Sequence, residues 1–191
     1  MAFNDRVHDR EMLDILEDCE AQIFVGDTWR IVRSGRDPTR GSTANGRWGA
    51  SGEFEALYTA CEREGALAEV GYRMSLEPLW PSKILHDIHR LEVTLERVLD
   101  LTDFSLLAKF GIEEHSFESH SYEVEQAISS AARFLEYQGI LVPNARYRGT
   151  NLVVYPDLEG ALNGLSRVAS EPVDWSSWRA QNGKRPSRRQ V

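Results

Sequence analysis

The widest mix of chemically capable residues in this chain lies between Gly41 and Tyr72, GSTANGRWGASGEFEALYTACEREGALAEVGY. A Gly/Ser/Asn-rich loop presents Arg47 and Trp48, a short apolar segment ends on Tyr58, and the small residues Gly65, Ala66 and Ala68 lead to Glu69. A forked cation on a loop, an aromatic ring at a strand end and a carboxylate among small residues suit a charged ligand that carries a ring. Each also has a plainer reading. Glu69 has the i,i+4 spacing for a surface ion pair with Arg73, worth about a few tenths of a kcal/mol, and Tyr58 suits a core position at a strand end. Arg30, between Trp29 and Ile31, is either an edge cation reaching for water or a donor aimed at a bound anion.

These side chains need elements to hold them. Residues 10–22 place Met12, Leu13, Ile15, Leu16 and Cys19 on one helical face, which predicts a docking helix. DTWRIVR (27–33) reads as the first strand, and residues 34–46 as a polar loop. Residues 55–60 read as a strand that leads into a helix over 62–74. Residues 84–101 alternate in places (Leu91, Val93, Leu95) and read as a strand or hairpin arm. A short helix over 104–110 is closed by Gly111. The clearest helix is 122–138, with an apolar stripe of Val124, Ala127, Ile128, Ala131, Phe134 and Leu135 and a stop at Gly139. Strands over 140–142 and 151–155, each stopped by a proline, flank the polar link NARYRGT, and residues 158–178 add one more helix or strand.

With 191 residues, 41% of them hydrophobic, the chain suits one soluble domain with a substantial core. No apolar run is long enough to span a membrane, and MAFNDRVHDREM lacks the basic start and apolar core of a signal peptide, so the expected location is the cytoplasm. Cys19 and Cys61 stand in no metal or redox spacing and read as reduced thiols. His86 and His89 have H-x-x-H spacing, but no further ligand follows at a diagnostic distance, so they read as surface histidines and no metal is expected. The net charge of −8 argues against nucleic acid as a direct partner. It is uneven: residues 1–25 hold seven acids against two bases, whereas 179–191 hold five bases and no acid. Dinucleotide, P-loop, zinc-protease and α/β-hydrolase fingerprints are missing from the sequence.

Seven short motifs occur in an order that resembles one family. Trp29-Arg30, Gly46-Arg47-Trp48, Ala56-Leu57-Tyr58-Thr59-Ala60 and Ala66-Leu67-Ala68-Glu69 come first. Val98-Leu99-Asp100-Leu101-Thr102, Gly139-Ile140-Leu141-Val142-Pro143-Asn144-Ala145 and Asn151-Leu152-Val153-Val154-Tyr155-Pro156 follow. Together they resemble the RES domain over residues 22–160, with an N-terminal helical extension (1–21) and a C-terminal segment ending in a basic tail (161–191).

The resemblance implies an α/β (α+β) fold of the ADP-ribosyltransferase-like type, with a split, mostly antiparallel β-core and surrounding helices. It implies cleavage of the nicotinamide–ribose bond of NAD+, as a hydrolase or as a transferase to phosphate. NAD+ is then a substrate, phosphate a co-substrate, and no cofactor is implied. It also implies a toxin role, an Xre-type helix-turn-helix antitoxin as partner, and a homodimer. Residue by residue, it implies Glu69, Arg30 and Tyr58 as catalytic and Arg47, Trp48, Asn144 and Asn151 as substrate-binding. Asn144 stands where the family has a serine. An amide can replace a serine that positions substrate but not one that attacks it. Two alternatives stay open: an inert dinucleotide- or protein-binding module, and an ADP-ribosyltransferase acting on a macromolecule.

Overall fold

The computed structural model describes residues 8–117 and 121–182. The acidic start before His8 and the tail bases beyond Asn182 lie outside the described residues. In chain order the elements are α1 (Arg10–Glu17), β1 (Gln22–Arg33), β2 (Leu57–Ala60), α2 (Arg63–Ser75), β3 (His86–Asp100), α3 (Phe104–Ala108), α4 (Glu123–Phe134), β4 (Gly139–Pro143), β5 (Thr150–Val154), β6 (Leu165–Pro172) and α5 (Trp175–Asn182). The fold is α+β.

The long strand β3 is the spine. Its buried Leu91, Val93 and Leu95 alternate with exposed Glu92, Thr94 and Glu96, the period of a pleated strand with one face in a core. One edge of β3 pairs antiparallel with β1, from Gln22↔Val98 to Arg33↔His86. The other edge pairs antiparallel with β6 near its start and parallel with β4 near its end. β4 continues to β5, β5 to β2, and β2 back to β1, so the pairings close on themselves. β1 and β2 share a single register pair, Trp29↔Ala60. Among the described residues only β3 and β4 run parallel; that pairing needs a crossover, and α3 and α4 supply it.

Leu57, Val93, Leu95, Leu152 and Val154 fill the space inside the ring of strands. Outside it, Leu99, Ile140 and Val153 pack with Ile128 of α4 and Leu16 of α1. Tyr137 secures α1 there, its hydroxyl donating to the carbonyls of Leu16 and Cys19. A third cluster lies under α2, where Ala60, Ala66, Leu67, Met74, Ile88 and Trp175 meet Trp29 and Ile31.

Several sequence expectations shift. The first strand begins at Gln22 rather than Asp27, because β3 is long enough to pair it throughout. The clearest helix ends at Phe134, and Glu136 takes a positive φ of 62°, so Gly139 opens β4 instead of capping a helix. Val124 and Phe134 are exposed, whereas Glu125, Ile128, Ser129 and Ala132 face inward; the buried stripe is rotated by one position. His86 and His89 are not surface histidines. His89 is buried, and His86 Nδ1 accepts the indole N–H of Trp175. The stretch read as one further element holds both β6 and the start of α5, and β6 belongs to the same sheet.

Gly71 on α2 shows how closely α5 is seated. A Cβ at this position would overlap the Trp178 ring. Gly71→Ala is therefore expected to cost about 1–3 kcal/mol through overpacking, against the small gain in helix propensity. Chemical denaturation measures it, and Trp178→Leu in the same chain should recover part of the loss.

Candidate active site

Glu69 sits on α2 facing the loop between β4 and β5. Its Oε1 accepts the backbone N–H of Ala145 (3.2 Å) and, at 3.4 Å, Nδ2 of Asn151 from β5. Asn144 Nδ2 donates to Asn151 Oδ1 at 2.8 Å, which turns the Asn151 amide so that its N–H side faces Glu69. Asn144 Oδ1 accepts the N–H groups of Arg146 and Tyr147, closing an Asx-type turn. Asn144 is 8% exposed, and its amide holds the loop and Asn151 at once. The small residues before Glu69 make room for this loop: a Cβ on Gly65 would stand 3.0 Å from Asn144 Nδ2 and 3.5 Å from the Tyr147 ring. Arg146 stacks on Tyr72, 3.6 Å from the ring centre, at the edge of the cluster. No Glu69–Arg73 ion pair forms among the described residues.

Tyr58 shares the Asn151 face of the sheet, through Ala60↔Asn151 and Tyr58↔Val153. Its hydroxyl accepts the Trp48 N–H at 3.2 Å, beneath the tight turn Gly46–Gly49. A Cβ at Gly46 would stand 2.6 Å from that hydroxyl, so only glycine lets the turn lie this close. The Trp48 side chain is 2% exposed and packed in the core, so Trp48 faces the cluster with its backbone alone. Burial pushes the Tyr58 pKa up to about 12; the Trp48 amide and the charges of Arg73 and Arg47 pull the other way. The phenol is protonated at neutral pH.

That shift fixes a sign. From pH 10.0, the ordinary tyrosine value, to about 12, the unfolded chain releases the Tyr58 proton while the folded chain keeps it. The Tyr58 contribution is fully present below pH 10 and is lost as pH rises through that window. Unfolding free energies measured across pH 9–12 should fall, with a shallower slope in Tyr58→Phe.

Arg47 projects from the turn onto α4. Its Nη1 lies 2.6 Å from Glu125 Oε1, and its guanidinium is flanked by the rings of Phe117 (4.5 Å) and Tyr122 (4.7 Å). The side chains are 11% and 6% exposed, a pair taken largely out of water. Glu125 escaped the sequence reading. Its signal was its i+3 and i+4 spacing to Ile128 and Ser129, which places an acid on the buried face of α4.

Arg30 lands elsewhere. Neighbouring residues of a strand point to opposite faces, and Trp29 and Ile31 pack under α2. Arg30 therefore points to the face turned away from α2. It donates to the carbonyls of Arg40 (2.9 Å) and Tyr58 (3.4 Å), tying β1 to β2 and to the following loop. Burial lowers its pKa to about 10, partly offset by Asp37, so it keeps its charge at neutral pH. The structure thus brings together Glu69, Asn144 and Asn151, sets Tyr58 on the same face, ties Arg47 to α4, and does not bring Arg30 into the cluster. Among the described residues no group of three or more His, Cys, Asp or Glu is arranged for a metal ion.

The RES domain family model matches residues 27–176. A probable NAD(+) phosphorylase of Mycobacterium tuberculosis is 34% identical over 124 residues, which are 65% of this chain and 58% of that protein. NAD(+) phosphorylase MbcT of Mycobacterium bovis is 32% identical over 132 residues, 66% of this chain and 70% of that protein. In three dimensions the chain is similar to one in a crystal structure of the M. tuberculosis MbcT–MbcA toxin–antitoxin complex. The TM-score is 0.79 at 24% identity, covering 92% of this chain and 99% of that one. At that identity the likeness is one of fold.

Proposed function

Because the chain belongs to the RES domain family, we propose that it cleaves the nicotinamide–ribose bond of NAD+ with phosphate as acceptor. The observation that carries this reading is the oriented carboxylate: Glu69 is held by the Ala145 N–H and by Asn151, whose own amide is fixed by Asn144. Breaking the C1″–N bond sends its electron pair to the nicotinamide ring, which leaves neutral and needs no proton. Positive charge builds on the ribose as in glycoside cleavage, and a carboxylate fixed beforehand stabilises that charge without reorganising. A phosphate oxygen then bonds to C1″. No step requires a side-chain nucleophile, so Asn144 suits the site as a positioning residue.

Arg47 has five donors and can serve Glu125 and a pyrophosphate oxygen together. The neutral Tyr58 phenol offers a ring wall for nicotinamide. Arg30 positions Tyr58 and the loop over residues 34–46 rather than touching substrate. The relatives named as phosphorylases favour phosphate over water as the acceptor. We extend the reading to a toxin restrained by an antitoxin, expected to be of the Xre type, acting in the cytoplasm as a homodimer.

Adenine-labelled NAD+ incubated with the full chain, with and without phosphate, tests the acceptor. ADP-ribose 1″-phosphate formed only with phosphate is the expected product. Free ADP-ribose at the same rate in both buffers would replace phosphorolysis with hydrolysis, and label retained on protein would replace it with transfer to a macromolecule.

A further inference from the structure

A second group of polar residues lies on the opposite face of the sheet. His89 pairs with Arg30 of β1 and with Ser170 of β6, so these three form one cross-strand row. The neighbour of His89, Ile88, packs under α2, so His89 faces away from Glu69. The turn after β1 borders a cleft of about 500 Å³ lined by Arg36, Asp37, Asp87, His89, Arg167 and Ser170. That volume falls within the range of about 300–1,000 Å³ typical of small-molecule sites.

His89 forms part of the cleft wall. It is 3% exposed, and neither ring nitrogen has a hydrogen-bond partner among the described residues. Both nitrogens lie beneath the protein surface, so the polar groups open to a ligand in the cleft are those of Asp87, Ser170 and the two arginines. Arg36 and Arg167 are exposed and form no ion pair among the described residues. Asp37 is turned toward the N–H and hydroxyl of Thr39. Two guanidinium forks favour a phosphate, but the carboxylates of Asp37 and Asp87 would oppose a bare anion. A ligand that places hydroxyl donors against the carboxylates and a phosphate against the arginines satisfies both sets.

We propose that this cleft binds a phosphorylated sugar, with Arg36 and Arg167 on the phosphate and Asp87 and Ser170 on the hydroxyls. The site is separate from the Glu69 cluster, and its ligand is independent of the reaction proposed there.

Calorimetric titration of the full chain with ribose 5-phosphate tests it, with ribose and inorganic phosphate alongside at matched ionic strength. Saturable binding of ribose 5-phosphate is expected, tighter than either fragment. The double variant Arg36→Gln/Arg167→Gln should weaken it by about tenfold or more, since two charge-assisted contacts are lost. Both arginines are exposed, and an unchanged melting curve confirms that the variant is folded. Absence of binding, equal binding by the double variant, or inorganic phosphate binding as tightly as the sugar phosphate would each overturn the proposal.

Discussion

Glu69→Gln is expected to lower kcat for nicotinamide release by about 10²- to 10³-fold while leaving the affinity for NAD+ within a few-fold of the parent. Glutamine keeps the side chain's length and can still accept the Ala145 N–H that now reaches Glu69 Oε1. It cannot oppose the positive charge that grows on the ribose as the bond breaks. Such an interaction exists chiefly in the transition state, so its loss falls on kcat and not on ground-state binding. Steady-state kinetics and calorimetry on the same preparation separate the two. Equal losses in affinity and kcat would make Glu69 a binding residue. Asn151→Ala should move in the same direction by less, because the Ala145 N–H still orients the carboxylate.

The other large effect lies in the buried pair of Arg47 and Glu125. Glu125→Ala leaves the Arg47 guanidinium enclosed between Phe117 and Tyr122 without its 2.6 Å carboxylate partner. Removing one member of a buried pair costs about 3–5 kcal/mol, because the remaining charge stays largely out of water and has lost its carboxylate. Denaturant unfolding measures the loss. The turn that carries Arg47 also seats Trp48 against Tyr58, so KM for NAD+ should rise with the instability. The double variant Arg47→Met/Glu125→Leu is expected to recover much of the stability, since apolar replacement of a buried pair is often near neutral, and none of the NAD+ affinity. A Glu125→Ala chain as stable as the parent would mean that the pair is solvated in solution.

The sequence made the Glu69 cluster legible where chain order and spatial order agree. Asn144 and Asn151 flank a short β4–β5 turn, and Glu69 follows a Gly-Ala run that a helix must pack closely. Arg30 shows the limit. Its position in the motif order is unaffected by which face of β1 it occupies, and that face is set by the register Trp29↔Ala60 and Arg30↔His89. Trp48 is a related case: the loop folds its indole into the core, which its place on a polar stretch of sequence does not reveal. Glu125 was hidden because the stripe drawn through Val124 and Phe134 was one position away from the buried face. His89 was read by spacing alone, although the alternation of β3 could have placed it inward with Leu91 and Val93.

The most direct test of NAD+ cleavage follows NAD+ and nicotinamide together, by chromatography, in phosphate buffer with the purified chain. Many turnovers per chain and one nicotinamide released for each NAD+ consumed are expected. NAD+ that stays intact while binding a chain with a cooperative melting transition would contradict it, leaving the Glu69 cluster as a dinucleotide-binding site without chemistry.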